Sequence, residues 1–312
     1  MAVAAAQPRD ILARLGIRTL AGREAALGYA IVGVVYLFFI CFVFGPILLA
    51  FSLSFTFWDG LRELDSMQFV GIGNYARLLS DQRFLLSIQH DLEFAAKSYV
   101  GQIACGMLLA LAANNIARGR TLFRWITFMP VVLPIPATAM LFVILMNPVF
   151  GTFNAITSAL GLGTSSWLSQ PETAMNSATL MVIWKFAGYY MILFLAAFAT
   201  VPQELYDAAH VDGANRWQTF SKITWPLIRP AFMFISIINV IGNLQVFTPI
   251  WMMTAGGPLR ATEVVVVLMY NTAFTYFQYS LANAMAIILF LLILILTTLQ
   301  MQIMRKGGME AL

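Results

Sequence analysis

Asn239 and Asn243 lie four residues apart in the apolar run "AFMFISIINVIGNLQVF", so a helix there carries both amides on one face. Each amide both donates and accepts hydrogen bonds, the chemistry that matches a hydroxyl group. Tyr189 and Tyr190 fall about midway along a second apolar run, and an aromatic face packs against the C–H side of a sugar ring. Tyr189, Asn239 and Asn243 are therefore the candidate lining of a path for a polar solute. The competing use of the two asparagines is to join helices, as polar groups commonly do in membrane bundles. Lys185 shares the run with the tyrosines; an ammonium at a helix centre costs about 2.5–3.5 kcal/mol on the insertion scale, so it must face protein or a water-filled cavity. Pairing with a neighbouring side chain or carbonyl is preferred here to attraction of an anionic solute.

Catalytic chemistry finds little support. His90 and His210 are the only histidines and stand far apart, which leaves no His-based acid/base pair or metal cluster. Cys41 and Cys105 both sit in apolar runs and read as core residues without a disulfide or thiolate metal site. No G-x-x-x-x-G-K-[ST] loop is present, so nothing in the chain is built to cradle ATP.

These side chains need spans to hold them. Of 312 residues 60% are hydrophobic and 10% charged, with a mean hydropathy of +0.81, whereas soluble domains carry about 25% charged residues. Crossing about 30 Å of hydrocarbon takes about 20 apolar residues. Six stretches qualify, at 28–51, 93–115, 122–146, 174–200, 230–252 and 281–304. The first is too long for the core of a cleaved leader and reads as a retained span. Pro130, Pro134 and Pro136 crowd the third, which predicts a kinked helix buried in the bundle. With the N-terminus inside, twelve of the eighteen basic residues fall in inside segments and four outside, which places both termini in the cytoplasm. The net charge of +4 reflects that asymmetry rather than a nucleic-acid partner. Lys97, near the outer end of span two, is expected to snorkel.

One polar stretch interrupts this pattern, "QELYDAAHVDGANRWQTFSKITWPLIRP" between spans four and five. Thr200 and Gln203 have capping-box spacing and Glu204 suits a helix N-terminus. Leu205, Ala208 and Ala209 make a short apolar face, Asp212-Gly213 signals a turn, and a second helix carries Trp217, Phe220 and Ser221 before Pro226 and Pro230 close it. Such a part-apolar hairpin in the cytosol reads as a docking surface. An interfacial helix against lipid headgroups is the other reading.

The stretch resembles the EAA loop of binding-protein-dependent ABC importer permeases. Asp207-Ala208-Ala209, Gly213, Ile223 and Pro226 fill the motif's places, with Asp207 where Glu is usual and Trp225 where Leu is usual. "FVGIGNYARLL", "MNPVFGTFNAI", "SWLSQPETA", "IWKFAGYYMILFLAAF" and "MMTAGGPLRATEVVVVLMYNTAF" are similar to segments of the carbohydrate-uptake branch that includes maltose and glycerol-3-phosphate permeases. The resemblance implies an all-α chain with the type I ABC importer transmembrane fold. It implies a cytoplasmic segment at 1–27, a six-helix permease domain at 28–304 with its coupling hairpin at 202–228, and a cytoplasmic tail at 305–312.

It further implies a multi-pass protein of the bacterial or archaeal inner membrane that carries a sugar or polyol-type solute. A second, non-identical permease subunit, two ATPase subunits that hold ATP and Mg, and an extracytoplasmic binding protein are the expected partners. The resemblance assigns ATPase docking to Glu204, Leu205, Asp207, Ala208, Ala209, Asp212 and Gly213, and the substrate path to the helices flanking the hairpin. No catalytic, cofactor or metal residue is expected in this chain. The alternative function is an ATP-independent secondary transporter or channel. A Gly-Gly-Pro loop at 256–258 is expected to be flexible, followed by a helix at about 263–277 lying on or dipping into the outer face.

Overall fold

The computed structural model describes residues 20–58, 60, 67–116 and 118–306. The segments expected at 1–27 and 305–312 thus fall largely outside the described residues. Apolar runs long enough to span a bilayer must satisfy their own backbone, and the chain does so almost entirely with helices. A two-residue antiparallel ribbon, β1 (Thr56–Phe57) with β2 (Gln68–Phe69), is the strand content among the described residues.

The first span is α1 (Leu20–Phe39), continued through a π-helical turn into α2 (Gly45–Ser54). Its apolar side chains point outward along most of its length; Tyr29 is 79% exposed and Phe42 69%. Cys41, in the π-helical turn, is exposed rather than in a core, and none of the residues of that turn is buried. After the short α3 (Gly73–Ser80) comes α4 (Gln82–Asn115), capped by Asp81, whose carboxylate accepts from Arg83 N–H at 2.8 Å. This helix begins eleven residues before the apolar run that marked span two. It carries Lys97, which donates to Glu93 Oε1 at 2.5 Å and Asn176 Oδ1 at 2.6 Å, so this ammonium pairs with side chains as well as reaching solvent.

Span three is broken. α5 (Arg120–Val132) and α6 (Ile135–Leu145) meet at 95°, a far sharper corner than a kink. Pro134 and Pro136 lack the N–H groups that would bond the carbonyls of Pro130 and Val132, so the helical ladder stops and restarts. The short α7 (Thr152–Ala159) leads to α8 (Pro171–Ala199), the hub of the bundle, which packs on α4, α5 and α6. Three glycines let backbones approach closely here. A Cβ on Gly106 would sit 2.5 Å from Tyr190 Cβ, one on Gly101 would strike Ile183, and one on Gly188 would overlap Thr127 O and lie 2.9 Å from Phe128 Cα.

The hairpin follows as α9 (Gln203–Val211) and α10 (Arg216–Thr219). The prolines do not close the second arm as the sequence suggested. A π-helical turn at Phe220–Thr224 feeds directly into α11 (Trp225–Leu244), and its wider winding absorbs the donor that Pro226 lacks. Span five is therefore a continuous helical path from Arg216 to Leu244. α12 (Thr248–Thr254), α13 (Val265–Tyr270, extended by a π-helical turn to Thr275) and α14 (Tyr279–Lys306) complete the order. Among the described residues five helices are long and apolar enough to cross a membrane, and six spans result when the broken pair counts as one.

Among the described residues three apolar clusters hold the bundle. One joins α4, α6, α8 and α12 around Phe94, Phe142, Met181 and Ile250. A second packs α14 on α4 and α13 through Phe84, Val265 and Met285. The third, at the hairpin end, gathers Ala110, Met191, Phe194 and Ile228, with Tyr206, Ile223 and Trp225 of the hairpin segment against it.

Candidate functional site

α9 starts after Pro202, and the expected Thr200–Gln203 capping box is absent because Thr200 Oγ1 bonds back to Ala197 O at 2.8 Å. The box forms instead on the second arm: Asn215 Oδ1 accepts from Gln218 N–H at 2.9 Å and Gln218 Oε1 accepts from Asn215 N–H at 2.8 Å. Asn215 and Gln218 have that spacing in the sequence, directly after the Asp212-Gly213 turn signal. The turn itself is as expected. Gly213 takes φ +72°, Ala214 N–H reaches Ala209 O at 2.9 Å and Gly213 N–H reaches His210 O at 3.1 Å, a Schellman ending that a left-handed residue makes possible. Tyr206 and Thr224 join the arms through their hydroxyls at 3.1 Å.

Six of the seven docking candidates, Glu204, Leu205, Asp207, Ala208, Asp212 and Gly213, are exposed together on this hairpin. Ala209 turns inward and is 7% exposed, one residue too far round the helix to share the outer face. Val211, 88% exposed, and Trp217, 72% exposed, add apolar surface beside them. In the sequence Val211 stands between His210 and Asp212, with Ala208 three residues back as its apolar neighbour on the helix.

The second site lies among the spans. Asn239 and Asn243 share a face of α11, but that face is closed in this conformation: they are 0% and 5% exposed. Asn239 Nδ2 donates to Gln102 Oε1 at 2.7 Å, and Asn243 Nδ2 lies within 3.0 Å of Gln102 Oε1 and of Asn239 Oδ1 and O. Gln102 Nε2 reaches Val182 O at 3.4 Å, so one buried glutamine connects α4, α8 and α11. Its signal in the sequence was a lone amide inside an apolar run, the same signal that marked the asparagines. One turn on, Ser236 contacts the Tyr99 hydroxyl at 2.7 Å and accepts from Gln300 Nε2 at 2.5 Å, bringing α14 into the polar seam. Tyr190 is buried and Tyr189 half-buried, their rings edge to face at 5.3 Å. Lys185 is 1% exposed and donates to Pro130 O at 3.0 Å and Leu133 O at 2.6 Å.

At the end opposite the hairpin, Arg83 grips Glu263 with two bonds, Nε to Oε2 at 2.8 Å and a terminal nitrogen to Oε1 at 2.6 Å. His90 Nδ1 lies 3.2 Å from Glu263 O, and Asp91 Oδ2 accepts from Val265 N–H at 3.2 Å. The Gly-Gly-Pro loop is tied back to Thr262, whose N–H reaches Gly256 O at 3.2 Å. Thr262, fully buried, joins Thr254 Oγ1 and Gly257 O at 2.7 Å each. α13 packs into the core, with Val265 and Val267 at 0% exposure. Among the described residues no group of three or more His, Cys, Asp or Glu is placed to hold a metal ion.

A polytopic helical bundle with a broken span, a buried polar seam and one exposed bihelical projection defines an all-α membrane transport subunit. The chain belongs to the family of binding-protein-dependent transport system inner membrane components, which it matches over residues 102–306. It is 31% identical over 287 residues to the trehalose/maltose transport system permease protein MalF of Thermococcus litoralis, covering 91% of this chain and 95% of that one. It is 34% identical over 269 residues to the multiple sugar-binding transport system permease protein MsmF of Streptococcus mutans, covering 86% and 91%. Its fold is similar to a chain in the crystal structure of a bacterial ABC transporter involved in the import of the acidic polysaccharide alginate, with a TM-score of 0.79 and 26% identity over 91% of this chain and 96% of that chain. These are the type I ABC importer likenesses expected from the motifs, and they make the chain an inner-membrane component of an ABC transporter.

Proposed function

We propose that this chain forms half of the membrane pathway of an ATP-driven importer for a sugar or related polyol-type solute. ATPase subunits, which hold the ATP and Mg, grip it through the α9–α10 hairpin, and an extracytoplasmic binding protein delivers solute to the opposite end. A second permease subunit completes the pathway and covers apolar surface such as that of α1. In this reading both termini and the hairpin lie in the cytoplasm, an orientation that the excess of basic residues in those segments supports. The observation that carries it is the exposed Glu204–Gly213 face on an otherwise apolar body, braced on the hairpin-end core by Tyr206, Ile223 and Trp225. The sugar permeases among the relatives and an alginate transporter structure described in complex with a pentasaccharide-bound periplasmic protein support the solute class and the delivery step. Tyr189, Asn239 and Asn243 are proposed as path residues, the two asparagines exchanging their bonds to Gln102 for solute hydroxyls when the spans separate.

The test is purification of the native membrane complex and reconstitution of solute uptake. Leu205→Asp with Ala208→Asp is expected to release the ATPase and abolish uptake while the membrane body stays folded. Uptake that survives loss of the ATPase would instead establish an ATP-independent transporter or channel.

A further inference from the structure

The corner of span three is an unusual use of a charge. Had residue 134 carried an N–H, a continuous helix would satisfy Pro130 O with no ammonium nearby. The chain instead carries Pro134, a 95° bend and a buried lysine whose Nζ meets Pro130 O and Leu133 O, one carbonyl inside α5 and one at its end. Among the described residues no carboxylate contacts Lys185; the remaining neighbour of note is the Phe186 ring, 5.7 Å from Nζ to its centre. One turn further along α8, Gly188 lies directly against the backbone of Thr127 and Phe128, so α8 holds α5 at two successive points. The other side of the corner is open: Val132 is 72% exposed, and Leu133, Pro134 and Pro136 are exposed as well. α8 ends at Ala199, four residues before the hairpin helix α9 begins.

We propose that Lys185 is a positioning residue that couples α8 to the Leu133–Pro134 corner, so that displacement of the hairpin reaches the wall of the pathway. The broken ladder lets α5 and α6 shift against one another, and the two bonds from Lys185 make the corner follow α8. This rests on the proposed role of the chain as a solute pathway driven through its hairpin.

The experiment uses the whole complex in proteoliposomes. Spin labels at Ile126→Cys and Ile144→Cys, with Cys41→Ser and Cys105→Ala, report the distance across the corner. Uptake per ATP hydrolysed reports coupling. Lys185→Met is expected to shift or broaden the label distance and to lower uptake per ATP by about tenfold or more, the equivalent of a lost charge-assisted hydrogen bond. Lys185→Arg, which keeps the donors, is expected to retain most of it. A Lys185→Met complex with unchanged distance and unchanged uptake per ATP would overturn the proposal. Should Lys185→Met fail to assemble, Pro134→Ala is added to return an N–H to Pro130 O. Assembly regained without coupling supports the assignment, whereas assembly regained with full coupling, or not regained, overturns it. A wild-type complex without ATP-driven uptake would remove the functional reading, while the label distances would still decide whether Lys185 holds the corner.

Discussion

Gln102 accepts a 2.7 Å hydrogen bond from Asn239 across the centre of the bundle, and the same oxygen lies 3.0 Å from the Asn243 amide. Interhelical hydrogen bonds in membranes average about 0.6 kcal/mol and reach about 1.7. This cluster is fully desolvated and leaves amide protons stranded if its acceptor is lost. Gln102→Leu is therefore expected to lower stability by about 1.5 kcal/mol, read as a lower midpoint of thermal unfolding in detergent. Gln102→Glu, which keeps the acceptor, should lose stability by a different route, through a buried charge.

Asn243→Leu separates path from scaffold. Under the proposed function it weakens solute uptake more than it weakens the fold, because Asn239 still has Gln102. Unchanged uptake kinetics would remove Asn243 from the path.

Two ion pairs of the same bundle should differ in their response to salt. Arg83 and Glu263 are joined by two bonds with side chains 25% and 7% exposed, whereas Glu93 and Lys97 are each 41% exposed. A double-mutant cycle on the first is expected to give about 1–2 kcal/mol and on the second about 0.5 kcal/mol or less. In 1 M salt, where the screening length is about 3 Å, the second coupling should vanish and most of the first remain.

Gly188→Ala places a methyl group on the backbone of Thr127 and Phe128, which has no rotamer by which to yield. The expected loss is about 1–3 kcal/mol, with α5 displaced from α8. Wild-type stability would show that the two helices separate at little cost.

Gly213→Ala meets no atom within 4 Å, so its cost is conformational alone, about 1 kcal/mol for a left-handed residue. Hydrogen exchange should quicken in residues 203–214 while the spans are unaffected. ATPase affinity should fall by a comparable amount if the hairpin is the docking element.

Much of this was open to reading from the residues in order. Span number follows from the length of apolar runs, since a bilayer demands internal backbone bonding over a set thickness. The hairpin's turn at Gly213 and the disruption at Pro130–Pro136 follow from local backbone chemistry. Where local rules competed, the reading failed: Pro226 and Pro230 signalled an end, but a π-helical turn carried the helix through. Asn154 shows the same limit from the other side. Its sequence says nothing of a role, yet its side chain bonds Pro148 O and Ser165 O, accepts from Trp167 Nε1 at 2.7 Å, and so closes the loop after span three.

What the order of residues determined by itself was the number of spans, the polar hairpin between the fourth and fifth, and which amides and lysine lie in apolar surroundings. Only the tertiary structure decided that Asn239 and Asn243 turn to Gln102, that Lys185 meets the orphaned carbonyls of a helix 55 and 52 residues away in sequence, and that Ala209 faces inward. The reason is physical. Periodicity states which residues share a face, but which partner a buried polar group finds depends on helices brought together from distant parts of the chain.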